Sequence, residues 1–105
     1  MDQISATRPE TDRELLERAR SGDAECFGEF YRRRRSVILA FLRPRVSSPE
    51  LAADLMCETF AAALIAVHKP ERELPREPIA WLVIIARNEL LDAERQPVVP
   101  ERHSA

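Results

Sequence analysis

Apolar residues recur at helical spacing in four blocks along this chain, and Gly, Ser and Pro separate the blocks. The first block is short, with Leu15, Leu16 and Ala19 on one face of a predicted helix. Thr11-Asp-Arg-Glu14 ahead of it fits a capping box, in which the Thr11 hydroxyl accepts the Glu14 N–H and Glu14 reaches back. Ser21-Gly22 stops this helix, because glycine takes the left-handed cap at little cost. Asp23 is then expected to cap a long second helix. Its pairs Cys26/Phe27, Phe30/Tyr31, Val37/Ile38 and Phe41/Leu42 make a continuous apolar stripe that ends near Pro44.

Ser47-Ser48-Pro49-Glu50 reads as a third helix start, with a serine cap, proline at the first position and an acid in the first turn. Its predicted inner stripe is Leu51, Ala52, Leu55, Phe60, Ala63, Leu64 and Val67, and the helix runs to about Val67. Asp54, Cys57, Glu58 and Ala61 fall on the outer face, with Asp54 and Glu58 one turn apart. A Pro-rich loop, His68–Glu77, follows and is long for a helix–helix connection.

The fourth helix opens at Pro78, where the missing N–H costs nothing. Ile79, Leu82, Val83, Ala86, Leu90 and Ala93 form one stripe, and Trp81, Ile84, Ile85 and Leu91 a second. Between Ile79 and Ala86 the helix is apolar almost all round, which predicts a buried front end around Trp81. Farther on, one edge carries Arg87, Asn88, Asp92 and Arg95. The expectation is an all-α, compact bundle of about four helices over residues 11–95. Flexible tails are expected at 1–10 and 96–105.

Composition sharpens this picture in two places. Only 2 of 105 residues are Gly, while Ala, Leu, Glu and Arg are common, which suits helices over sheets. The net charge is −2, so the bulk balance does not announce a nucleic-acid binder, and distribution matters more. Residues 32–45 hold six Arg and no acid, and Arg32–Arg35 wraps one full turn. That run reads as a solvated helix surface, with a phosphate or acidic-partner contact as the alternative.

Cys26 and Cys57 lack metal spacing and read as reduced, partly buried thiols. No metal or cofactor is expected. A phosphate-cradling Gly loop, a nucleophile elbow and a zinc-binding HExxH are all missing, so a binding module is expected rather than an enzyme. No apolar run is long enough for membrane insertion, and the chain is expected to be cytoplasmic.

Three ordered stretches, Asp12–Tyr31, Pro49–Phe60 and Ala80–Asp92, resemble the second conserved region of bacterial RNA polymerase sigma factors of the extracytoplasmic-function (ECF) group. The similarity covers roughly residues 12–95. It implies a transcription initiation domain that binds the polymerase core and recognises and melts the minus-ten promoter element. On that resemblance, Asp54, Cys57, Glu58 and Ala61 would meet the clamp helices of the β′ subunit. The non-template single strand would meet Asn88, Arg87, Trp81 and Arg95 on the fourth helix and His68, Lys69, Arg72 and Arg76 of the loop. Asn can read a base edge through paired hydrogen bonds. Trp81 reads first as a core residue and second as the family's aromatic, and His68 first as a helix-end residue.

Two departures stand out. Cys57 occupies a place usually held by Gln, and residues 71–95 carry six acids against four Arg, where the family often ends in an Arg run. The second family domain, which reads the minus-thirty-five element, is expected to be absent. The alternative is a protein-interaction module without a DNA role that binds polymerase, an anti-sigma factor or itself. An unrelated small bundle is the third reading.

Overall fold

The computed structural model describes residues 10–95. Of the expected tails at 1–10 and 96–105, all but Glu10 lie outside the described residues. Helix α1 is Asp12–Arg20, α2 is Ala24–Leu42, α3 is Pro49–Val67 and α4 is Pro78–Arg95. A single 3-10 turn, Arg43–Arg45, follows α2 and contains Pro44. Among the described residues there is no strand, so the fold is the expected all-α bundle.

Local sequence accounts for most of the helix ends. Thr11 and Glu14 make both arms of the capping box, at 3.0 and 2.9 Å. Gly22, at φ +114°, ends α1 in a Schellman motif. Its N–H donates to the Ala19 carbonyl and the Asp23 N–H to the Arg18 carbonyl. Ser48 caps α3 by accepting the Leu51 N–H, with Pro49 at the first position. Asp23 departs from expectation. It occupies the N-cap position of α2, but its side chain makes no capping bond.

Helix α2 is the hub, packed against α1, α3 and α4. Its Phe30 is fully buried between Phe27 and Phe60, with ring centroids 5.8 and 6.2 Å away. Tyr31 lies edge-on to Phe60 at 5.0 Å. Each such aromatic pair adds about 0.5–1.5 kcal/mol beyond area burial. Leu15, Leu16, Ile38, Leu42, Ala52, Ala63 and Leu82 are among the most deeply buried of the other core residues. Thr59 is buried among them and satisfies itself, because its hydroxyl donates to the Leu55 carbonyl at 2.8 Å.

Two apolar expectations need correction. Leu64, placed on the inner stripe of α3, is 39% exposed, and Met56 and Thr59 take up inner positions instead. The front of α4 is not enclosed. Leu82, Ala86 and Leu90 are buried, Trp81 is half-buried, and Ile79 and Ile84 are exposed. The reason is geometric: α4 packs mainly against α3 and α2, so among the described residues its far side has no helix to cover it.

The arginine run of α2 is not uniformly solvated either. Arg34 Nε donates to Asp12 Oδ2 at 2.7 Å, and Arg33 Nη1 lies 3.4 Å from Oδ1. Asp12 is 9% exposed by side chain, so these pairs brace α1 onto α2 from a half-buried position. Arg32 pairs with Glu29, whose carboxyl is held below its usual range by the Arg32 and then the Arg33 hydrogen bonds. Arg35 sits over the Tyr31 ring.

Candidate nucleic-acid and polymerase interface

Helix geometry places the candidate residues on two separate faces. On α3, the buried stripe Ala52, Leu55, Phe60 and Ala63 turns the opposite side outward. Asp54, Cys57, Glu58 and Ala61 are all exposed on that side. Cys57 is therefore a surface thiol, not the partly buried one expected, while Cys26 is buried. Burial pushes the Cys26 thiol pKa up, and a hydrogen bond to Asp23 adds to the shift.

On α4, the buried stripe Leu82, Ala86 and Leu90 leaves Ile84, Asn88, Leu91 and Arg95 outward at i, i+4, i+7 and i+11. Asn88 is exposed, with Arg87 beside it. Ile84 is 58% and Leu91 42% exposed, so the amide stands between two uncovered aliphatic side chains. Arg95 lies 3.6 Å from Asp92 on the same helix.

One residue of this region was not singled out from sequence. Glu89 is half-buried, and burial first, then the charges of Glu58 and Asp92, raise its carboxyl pKa. The α3 acid thus feels an acid of α4 across the helix pair. The signal was present in the spacing: Leu82, Ala86, Glu89 and Ala93 share one stripe.

The loop is tied down at several points. Leu74 is buried at 9% exposure and acts as its apolar pin, a role that no periodicity could reveal in a Pro-rich segment. Arg13 Nη1 donates to the Leu74 and Pro75 carbonyls at 3.3 and 3.2 Å. Arg20 Nε donates to the Val67 carbonyl at 2.8 Å and Nη2 to that of Lys69 at 2.9 Å. A cation thereby closes the C-terminus of α3. His68 is the C-cap residue there, its Nδ1 3.1 Å from the Leu64 carbonyl, as expected of a helix-end residue. Lys69, Arg72 and Arg76 are exposed. Trp81 is half-buried just past the loop, with its backbone N–H donating to Glu77.

Among the described residues no cluster of His, Cys, Asp or Glu could hold a metal ion, and no helix is long and apolar enough to cross a membrane.

The sequence and the fold both have relatives. The family model described as Sigma-70 region 2 matches residues 30–96. The ECF RNA polymerase sigma factor BldN of Streptomyces coelicolor is 38% identical over 79 residues, which are 75% of this chain and 30% of that protein. A chain of the solved RsbN–BldN complex superposes with a TM-score of 0.68 at 35% identity, over 75% of this chain and 56% of that one. The chain thus spans less than a third of the curated relative it matches.

Proposed function

This chain belongs to the sigma-70 region 2 family, with a relative in the ECF group, and on that premise we propose that it serves as the promoter-melting domain of a sigma-like initiation factor. The outer face of α3 docks on polymerase, and α4 with the preceding loop holds the non-template single strand of the minus-ten element. The observation that carries this reading is the position of Asn88. It is exposed at mid-helix, flanked by uncovered Ile84 and Leu91, where an amide can pair with a base edge and aliphatic groups can meet an unstacked ring. Asp54 and Glu58 supply charge complementarity toward basic clamp helices. Arg87 and Arg95, with His68, Lys69, Arg72 and Arg76, sit where phosphates of the same strand would pass.

Melting by such a domain is differential binding. A protein that holds unstacked bases shifts the closed–open equilibrium of the duplex by its preference for the open strand. No bond is made or broken by the protein, so the role is non-enzymatic. Fluorescence anisotropy with single-stranded minus-ten-like DNA, with and without core polymerase, tests the proposal. Binding that depends on base sequence is expected, and Asn88→Ala weakens it more than Arg32→Ala. Absence of binding in both settings overturns it.

A second reading has its own support. Ile65 is 62% exposed on α3, and Glu58, Glu89 and Asp92 concentrate negative charge where α3 meets α4. BldN is known in complex with RsbN, so a protein partner on such faces, an anti-sigma factor among them, is the alternative occupant. Tight binding to the polymerase clamp helices without any DNA affinity favours that reading.

A further inference from the structure

A polar cleft of about 350 Å³ lies between α1 and the loop, lined by Arg13, Arg20, Glu73, Leu74 and Arg76. Arg13 and Arg20 stand two helical turns apart on the same face of α1. Their backbone-carbonyl bonds fix both guanidiniums in place. Neither is thereby exhausted. A guanidinium has five N–H donors. The recorded bonds of Arg13 use Nε, toward Glu17, and Nη1. Those of Arg20 use Nε and one N–H of Nη2. Among the described residues, both N–H groups of Arg13 Nη2 and of Arg20 Nη1 take no partner and can serve a ligand. Arg76 is exposed on the loop two residues before α4.

We propose that this cleft binds a phosphate group, held by Arg13, Arg20 and Arg76. The residues differ in duty. Arg13 and Arg20 are pre-oriented forks, which suit phosphate oxygens geometrically, while Arg76 closes over the ligand from the loop. Glu73 on the rim opposes the anion and tunes affinity downward. Two sources share this chemistry: the backbone of the DNA strand, continuing past the loop onto α1, and a free nucleoside polyphosphate. The first source rests on the function proposed above, and the second does not.

The test uses the full chain with two probes. Pyrophosphate alone is titrated while the arginine Nε–H and Leu74 amide NMR signals are followed. Single-stranded DNA is titrated by anisotropy over a range of salt. Saturable pyrophosphate shifts at Arg20 and Arg76 are expected. Arg76→Gln weakens binding about twofold to fivefold, and Glu73→Gln tightens it by a similar factor. Both side chains are exposed, and both substitutions leave the loop's recorded carbonyl anchors intact.

For a DNA phosphate, Arg76→Gln lowers the log–log salt slope by about 0.7, and Arg76→Lys keeps it. Arg20→Lys also keeps the slope, while Arg20→Met lowers it by about the same amount. A role confined to pinning the loop would move affinity without that split. Pyrophosphate binding with an unchanged DNA slope supports the cleft and identifies the free compound as its ligand. No saturable pyrophosphate shift together with an unchanged slope in Arg20→Met overturns the cleft, whatever Arg76→Gln does, because Arg76 also belongs to the strand path proposed above. If Asn88→Ala still abolishes base preference in that case, the promoter reading stands without it.

Discussion

Helices α2 and α4 are nearly equal in length, yet each inverts what its composition advertises. Helix α2 carries four consecutive arginines that read as solvated surface, with an external anion as the alternative. Two of them are half-buried and engaged with Asp12 of α1. Helix α4 carries a front half that looks like pure core, yet it leaves Ile79 and Ile84 exposed. The difference lies in the neighbours. Helix α2 packs against α1, α3 and α4, so Arg33 and Arg34 find partners inside the fold, whereas α4 packs mainly against α3 and α2 and leaves its other side open. Charge that is satisfied inside the fold maintains the fold. Apolar surface left uncovered beside an exposed amide is available to something outside it.

The largest effect expected from this contrast is on stability. Phe30→Ala removes a fully buried ring of the α2–α3 aromatic cluster and costs about 3–5 kcal/mol, read as a drop in the urea midpoint. Ile84→Ala on the open face of α4 stays within about 0.5 kcal/mol. Equal losses at the two positions would mean that α4 is enclosed in solution, and the contrast would break there. Next in size is Asn88→Ala. It leaves thermal stability within about 0.5 kcal/mol of the parent but removes about 1–3 kcal/mol of base discrimination in single-strand binding. A stability loss without a change in base preference would assign the amide to the fold.

Much of the fold is legible without coordinates, because caps and stripes are local. The Thr11–Glu14 box, the Gly22 stop and the Ser48-Pro49 start depend on residues within four positions of one another. What stayed hidden is tertiary. Leu74 is a lone aliphatic in a Pro-rich loop, and nothing in its neighbours marks it as a pin. The Arg33 and Arg34 contacts reach back more than twenty residues to Asp12. The burial of α4 falls short of its apolar pattern, because periodicity tells which residues are apolar but not how many helices are present to cover them. The candidate residues on α3 and α4 were legible through the family resemblance. The third arginine-bearing surface, on α1 and the loop, was not, since Arg13, Arg20 and Arg76 meet only after folding.

The Asp12 brace gives a sharper version of the contrast. Asp12→Ala leaves the half-buried Arg34 guanidinium without its carboxylate and Arg33 with Glu29 alone, and costs about 1–2 kcal/mol, once partial exposure is allowed for. Asp12→Asn recovers part of the loss, because the amide oxygen still accepts from Arg34. Chemical denaturation of the two variants measures the difference. If both match the parent, the arginines of α2 are ordinary surface charge and become candidates for an external anion after all.

The smallest effect belongs to the one acid that α4 turns partly inward. Burial, with the charges of Glu58 and Asp92 added, raises the folded pKa of Glu89 above the ordinary glutamate value. The folded state therefore holds this proton more tightly than the unfolded chain does. Stability falls as pH rises from the ordinary glutamate range through the raised folded value, and the ionised carboxylate keeps the fold at a disadvantage at neutral pH. Glu89→Gln removes the charge but keeps the shape. It raises Tm at pH 7 by no more than about 3 °C, and the gain shrinks as pH is lowered toward the range where Glu89 itself is protonated. Glu94→Gln, an exposed neighbour on the same helix, serves as the control and shifts Tm by less. A gain at Glu89 that is the same at pH 4 and pH 7 would show that packing, not charge, sets its environment. The acidic seam between α3 and α4 would then be no more available to a basic partner than the arginines of α2 are to an acidic one.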